Sequence, residues 1–221
     1  MDFTQQSKRV AAIIVAAGTG TRFRSAIPKQ YLHLGSKPVV RHSIETFLAC
    51  GIKNIITVIH PDHYELYTKA TRGLDIHEPA LGGASRAQST FAGLKALKDI
   101  APEYVLIHDA ARPFIDSSLI KRVINGLNLA PGCIPAVPVT DTIKLTSNHQ
   151  VQQTLPRECL WRAQTPQGFH YATIFDCFST TEDFSFTDES ALLESLNIPV
   201  RVVDGSEENI KITFSGDLKG N

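Results

Sequence analysis

The apolar run Val10-Ala11-Ala12-Ile13-Ile14-Val15-Ala16, which stops at Ala17-Gly18-Thr19-Gly20-Thr21-Arg22, constrains this chain more than any other stretch. An unbroken apolar run rich in β-branched residues offers no face to water, so it predicts a strand covered on both sides, as in a parallel sheet. Gly18 and Gly20 let the backbone turn sharply and approach a ligand. Successive N–H groups in such a loop form a nest for anions. The glycine pair alone serves a plain strand-to-loop turn equally well. Arg22 and Lys29, which bring two cations to the same place, tip the reading toward a polyphosphate site.

Two other glycine loops are excluded by spacing. A dinucleotide fingerprint needs a third glycine where this chain has Phe23, and an acid near the end of the second strand, where it has Ile55-Ile56-Thr57-Val58-Ile59-His60-Pro61. A P-loop needs Gly-Lys-Ser/Thr, and neither glycine precedes a lysine. The formal charge is zero, from 22 basic and 22 acidic side chains, which argues against a nucleic-acid partner but not against a local basic pocket. No apolar run approaches the roughly 20 residues of a membrane span, and Met1 to Ser7 are expected to be a short loose leader. Cys50, Cys133, Cys159 and Cys177 are widely spaced, and free thiols of this kind fit a reducing cytoplasm. His60-Pro61-Asp62-His63 lacks a second cluster to complete a metal site and is expected to be a strand end followed by a helix cap.

Strand and helix patterns then alternate. A helix is predicted over Pro38 to Ala49, closed by Gly51, and a strand over Asn54 to His60. Next come a helix over His63 to Thr71 capped by Asp62, a short strand over Leu74 to His77, and a helix opened by Gly82-Gly83-Ala84-Ser85-Arg86. Glycines before that helix serve equally as an ordinary turn or as a second anion approach. Tyr104 to Ile107 is a buried strand ending in His108-Asp109-Ala110-Ala111-Arg112-Pro113-Phe114, at the carboxyl edge where open α/β sheets place ligands. Asp116 or Ser117 caps the next helix, and Cys133 to Val137 is a strand. Such alternation predicts a mostly parallel sheet with right-handed crossovers. Residues 138–156 break the texture, with an alternating ribbon that turns at Ser147-Asn148-His149-Gln150. A two-stranded ribbon is marginal alone, so another subunit is expected to cover it. Helices over Tyr171 to Phe178 and Asp188 to Leu196 follow, the second with Thr187 as N-cap and with Glu189 and Glu194 outward. A strand over Val200 to Val203 and an alternating stretch carrying Lys211 close the chain.

The motifs Ala16-Ala17-Gly-x-Gly-x-Arg, Pro28-Lys29-Gln30-Tyr31, Gly82-Gly83-x-x-Arg86-x-x-Ser89 and His108 to Phe114 resemble those of the 2-C-methyl-D-erythritol 4-phosphate cytidylyltransferase family. Asp141 to Lys144, Arg157 to Phe169, Thr187-Asp188-Glu189 and Gly205 to Thr213 continue the resemblance in family order, over about Val10 to Leu218. Ala84 and Thr90 stand where the family often shows an acid and a valine. The resemblance implies a single three-layer α/β domain over 1–221, with a mostly parallel sheet of the Rossmann-like nucleotidyltransferase type. It further implies that 138–156 is an arm interlocking two subunits of a homodimer, with Trp161 packed at the arm's base.

The same resemblance implies transfer of CMP from CTP to the erythritol phosphate, aided by Mg²⁺ or a similar divalent cation. Arg22 and Lys29 would stabilise the transition state, while Lys211 and Arg157 would position the attacking phosphate. Ala16, Ala17, Gly18, Gly20, Gly83, Ser89 and Ala110 would surround CTP. Asp109, Arg112, Thr142, Thr165 and Thr187 would hold the polyol phosphate, with Asp109 also the metal's carboxylate. Three other readings stand beside this one: a ribitol 5-phosphate cytidylyltransferase, a nicotinamide oxidoreductase disfavoured by the missing glycine and acid, and a non-catalytic nucleotide sensor.

Overall fold

In the computed structural model, which describes residues 9–18 and 27–218, the elements run β1 (Val10–Ala16), β2 (His33–Leu34), β3 (Lys37–Pro38), α1 (Val39–Ala49), β4 (Asn54–Ile59), α2 (Tyr64–Thr71), β5 (Ala80–Leu81), α3 (Arg86–Ala96) and β6 (Tyr104–Asp109). They continue with α4 (Ser117–Gly126), β7 (Gly132–Pro138), β8 (Ile143–Ser147), β9 (Gln150–Leu155), β10 (Trp161–Ala163), β11 (Gln167–His170), α5 (Tyr171–Thr180), α6 (Glu189–Ser195) and β12 (Val200–Asp204). The apolar run does become the central strand. β1 pairs in parallel with β4 on one edge and with β6 on the other. Its side chains divide by parity, as a pleated strand requires. Val10, Ala12, Ile14 and Ala16 enter one core with α1, α2 and α4, while Ala11 and Ile13 enter a second core with α3, α5 and α6.

Helices therefore cover both faces of the sheet, giving the three-layer architecture expected. Among the described residues the sheet has eight strands, ordered β10-β7-β11-β6-β1-β4-β5 with β12 also on β7. The pairs β1–β4, β1–β6, β4–β5 and β7–β12 are parallel, while β10 and β11 run antiparallel to their neighbours. Ribbon β8–β9 forms a separate two-stranded sheet. Its turn residues Asn148 and His149 both have positive φ, as tight hairpin turns favour. Leu145 and Val151 on it are exposed.

Several local expectations change. Leu74 to His77 forms no strand; pairing waits until Ala80 and Leu81, which lie beside Val58 and Ile59. The helix expected from His63 begins at Tyr64, after a 3-10 turn capped by His60, whose ring accepts the Asp62 N–H. Asp188, not Thr187, caps α6, accepting the Ala191 N–H at 3.0 Å. Glu189, expected outward, is fully buried because Arg86 reaches it from α3. Lys211 lies on irregular backbone rather than a strand. Trp161 pairs with Pro138 where the ribbon departs, but its side chain stays 45% exposed. Cys50, Cys133 and Cys177 are buried, Cys159 is exposed, and all four are free. Among the described residues no helix is long and apolar enough to cross a membrane.

Helix α3 sits close to the sheet because Gly93 allows it. A Cβ there would lie 2.7 Å from Ile13 Cγ2 and 2.9 Å from Val58 Cγ2. Gly93→Ala should gain about 1 kcal/mol of helix propensity yet lose about 1–3 kcal/mol to overpacking. Net destabilisation in urea unfolding is the expected outcome.

Candidate active site

Strand order creates the site. β4 lies on one side of β1 and β6 on the other, so the connections leaving their carboxyl ends diverge and open a crevice at the topological switch point. The crevice has a volume of about 420 Å³. The loop after β1, the turn at Lys29, the start of α3, the end of β6 and the segment around Lys211 meet there.

Buried polar side chains hold these irregular segments. The Gln30 amide, 3% exposed, donates to the carbonyls of Ala16 at 2.7 Å and Gly18 at 2.9 Å, holding the backbone where β1 ends. Ser85 caps α3 in a capping box with Gln88. The Gly83 N–H donates to Ser89 Oγ at 3.2 Å, and that hydroxyl donates to the Ser85 carbonyl at 2.9 Å. At Gly82 a Cβ would fall 2.5 Å from Ala17 Cβ, so the two loops touch only because this residue has no side chain. The Lys211 segment is tied down by Arg112, which donates to the Asn209 carbonyl at 2.7 Å, and by Asn209, which donates to the Thr165 carbonyl at 2.9 Å. Lys29 donates to the Ile212 carbonyl at 2.7 Å.

The cleft's charges form a chain. Asp109 Oδ2 accepts from Lys211 at 2.6 Å, while Oδ1 accepts from Arg86 Nε at 3.1 Å. Arg86 Nη1 continues to Glu189 Oε1 at 2.6 Å. Burial alone would raise the Asp109 pKa, but the adjacent Arg86 and Lys211 overcome it and hold the carboxyl well below the usual range. Burial works against the Arg86 charge too, and Glu189 and Asp109 more than offset it, raising its pKa.

Behind Asp109 lies fully buried His108. Its Nε2 faces the Arg112 carbonyl at 3.1 Å and must therefore carry the proton. Nδ1 then accepts from the Thr165 hydroxyl at 3.1 Å, whose oxygen accepts the Asp109 N–H at 3.1 Å. Burial, the largest influence, pushes the His108 pKa down to about 4.

The structure brings Ala16, Ala17, Gly18, Lys29, Gly83, Ser89, Asp109, Ala110 and Lys211 to this cleft. Gly20 and Arg22 lie outside the described residues. Thr165 sits behind Asp109, and Arg112 faces Asn209. Thr142, Arg157 and Thr187 lie outside the cleft lining; Arg157 donates to the Thr140 carbonyl at the ribbon's base. Gln30, Arg86 and Glu189 went unassigned at the level of sequence. All three stand inside motifs quoted above, but the burial of Glu189 depends on a partner 103 residues away.

Among the described residues no group of three or more His, Cys, Asp or Glu could cage a metal. Asp109 is the one carboxylate among the described lining residues, and both its oxygens already face cations. Mg²⁺ commonly binds through one or two carboxylates and substrate phosphates. This donor set fits an ion carried largely by a polyphosphate.

A family model described as 2-C-methyl-D-erythritol 4-phosphate cytidylyltransferase matches residues 10–220. The bifunctional enzyme IspD/IspF of Rhodospirillum rubrum is 46% identical over 213 residues, 96% of this chain and 56% of that protein. Its namesake from Paramagnetospirillum magneticum is 44% identical over 212 residues, 96% of this chain and 55% of that protein. The chain thus spans about half the length of the curated relatives it matches. Among solved structures, the 4-diphosphocytidyl-2C-methyl-D-erythritol synthase of Anaerococcus prevotii has a TM-score of 0.82 at 33% identity, covering 96% of both chains. The bifunctional IspDF of Campylobacter jejuni has a TM-score of 0.79 at 30% identity, covering 95% of this chain and 53% of that one.

Stability should reflect the buried imidazole. Above the ordinary histidine value of 6.5, His108 is neutral folded or unfolded and costs nothing. As pH falls from 6.5 toward 4, only the unfolded chain takes up the proton, so folding should lose about 3 kcal/mol from this group. The Asp109 contribution is present above its ordinary 3.8 and fades only as pH falls below that value. Urea unfolding at pH 7.5 and 4.5 measures the loss, which His108→Gln should reduce.

Proposed function

The chain belongs to the 2-C-methyl-D-erythritol 4-phosphate cytidylyltransferase family, and from that premise we propose that it transfers CMP from CTP to 2-C-methyl-D-erythritol 4-phosphate, a step in non-mevalonate isoprenoid precursor synthesis. Ala16, Ala17 and Gly18 lining one cleft with Lys29 and Lys211, in a reaction that requires no general base, carry this reading. A phosphomonoester has a second pKa near 6 and is already largely dianionic at neutral pH. Its oxygen attacks the α-phosphorus, the bond to the β-phosphate's bridging oxygen breaks, and pyrophosphate leaves. The protein's task is to align two anions and offset their repulsion.

Ala16, Ala17 and Gly18 with Gly83, Ser89 and Ala110 receive the nucleotide, Gln30 holding the Ala16 and Gly18 carbonyls. Lys29, with Arg22, stabilises charge on the reacting phosphate, and Lys211 turns from Asp109 to phosphate when substrate arrives. Asp109, Arg112, Thr142, Thr165 and Thr187 serve the polyol phosphate side. Asp109 would hold Mg²⁺ together with the triphosphate, and the ion would supply further charge neutralisation. The exposed apolar side chains of β8–β9 favour a homodimer in which the ribbon crosses to a partner and presents Arg157 to its phosphate site. The free buried thiols favour a reducing, cytoplasmic setting.

Pyrophosphate release from CTP, measured with 2-C-methyl-D-erythritol 4-phosphate and ribitol 5-phosphate acceptors in parallel, tests the reaction. Selective turnover of the methylerythritol phosphate is expected. Preference for the ribitol phosphate would reassign the acceptor, and release with neither would sink the assignment. Lys29→Ala should lower kcat by about a hundredfold, since one lost oxyanion-type contact costs about 2.7–4 kcal/mol. Replacing 146–153 with a short glycine turn should yield a monomer that still binds CTP but has lost most transfer. Light scattering and a turnover assay check both consequences.

A further inference from the structure

Glu189 is the most deeply buried charge beside the cleft, and the reaction proposed above gives it no task. Its side chain has 0% exposure. Oε1 accepts from Arg86 Nη1 at 2.6 Å and from the Thr90 hydroxyl at 2.8 Å, while Oε2 has no hydrogen-bond partner among the described residues. A buried carboxylate with one oxygen unsatisfied is a poor staple. Well-packed apolar residues hold two helices together as well or better. Its effect is concentrated on the guanidinium it touches.

Arg86 is gripped on two edges. Nη1 faces Glu189, while Nε at 3.1 Å and Nη2 at 3.0 Å face the same oxygen of Asp109. The other Asp109 oxygen holds Lys211 at 2.6 Å. Negative, positive, negative and positive groups thus alternate from the core to the cleft and sum to zero. An arriving polyphosphate competes with Asp109 for its cations, and Arg86 and Lys211 both line the cleft. Their remaining contacts differ. Arg86 is tied back to a fully buried carboxylate, whereas the Lys211 side chain is 38% exposed and, among the described residues, its ammonium is held in this chain of charges by Asp109 alone.

Building on the CMP-transfer reading, we propose that Glu189 is a positioning residue that retains Arg86 on Asp109, so that Lys211 is the cation released to the substrate's phosphates. Without its charge, Arg86 is free to leave with the phosphates or to take both Asp109 oxygens and displace Lys211. Either change makes the cleft more cationic but puts the wrong cation on the reacting phosphate.

Steady-state kinetics of Glu189→Gln test this through a split between binding and turnover. The KM for CTP should stay level or fall while kcat drops at least tenfold. Glu189→Asp, which keeps the charge, should recover part of kcat. In an Arg86→Gln background, Glu189→Gln should cost nothing further. A folded Glu189→Gln enzyme with both constants within twofold of the parent overturns the proposal, as does an undiminished loss in the Arg86→Gln background. If Glu189→Gln fails to fold, the near-isosteric Thr90→Val decides: a two- to fivefold loss of kcat supports the role, and unchanged kcat overturns it. Should the parent enzyme turn over no polyol phosphate, the reaction assignment fails on its own. The Arg86 Nε–H NMR signal, followed as inorganic tripolyphosphate is added, then separates the outcomes. A signal that stays in place in the parent and moves in Thr90→Val or Glu189→Gln upholds Glu189 as the anchor, and one that moves equally in all overturns it.

Discussion

A strand with no polar face must be covered twice and flanked twice, and that demand on β1 shapes the rest of the structure. Covering it takes a helical layer on each face, supplied by α1, α2 and α4 on one side and α3, α5 and α6 on the other. Flanking it in parallel requires β4 and β6 to approach from opposite sides. Parallel neighbours on both edges force the connections apart at the carboxyl ends, so the crevice follows from the topology. Ala16 and Asp109 meet there because they end adjacent strands, with Val15 opposite Asp109 in the register.

What fills the crevice is irregular backbone, and irregular backbone leaves hydrogen-bonding groups unpaired by any ladder. This chain satisfies them with buried side chains from elsewhere. Gln30 serves the first loop, Ser89 the second, Thr165 the end of β6, and Arg112 with Asn209 the Lys211 segment. Each pin is largely withdrawn from solvent, where hydrogen bonds are harder to exchange with water. Lys29 and Lys211, carried by irregular segments, therefore rest on a hydrogen-bonded polar frame.

Much of this was legible in the sequence where local pattern decides the outcome. Continuous apolar runs identified β1, β4, β6 and β7, and glycine marked the ends of α1 and α2, where Gly51 and Gly73 do take positive φ. The cleft residues after β1 and β6 were legible because strand ends in an alternating α/β chain converge. Long-range electrostatics was not legible. Glu189 sits one residue past an aspartate cap, where helical periodicity expects a solvated acid, and Arg86 and the Thr90 hydroxyl make its burial tolerable. Likewise Ile210 and Ile212 flank Lys211 in the sequence as one face of a strand would, yet Ile210 is exposed and Ile212 buried, and the Ile212 N–H donates to the Ala111 carbonyl outside any ladder.

The same electrostatics explains how a cleft rich in cations can persist without substrate. Lys211 and Arg86 would repel one another across an undivided pocket, and Asp109 between them removes that cost. Its depressed pKa means it stays ionised throughout the physiological range, so the neutralisation does not fade with modest acidification. Neutral His108 behind it adds no opposing charge, and its fixed tautomer keeps Thr165 aimed at the Asp109 N–H. Asp109 is thus held by its backbone from behind and its carboxylate in front. The carboxylate that holds Arg86 and Lys211 is therefore fixed independently of both cations.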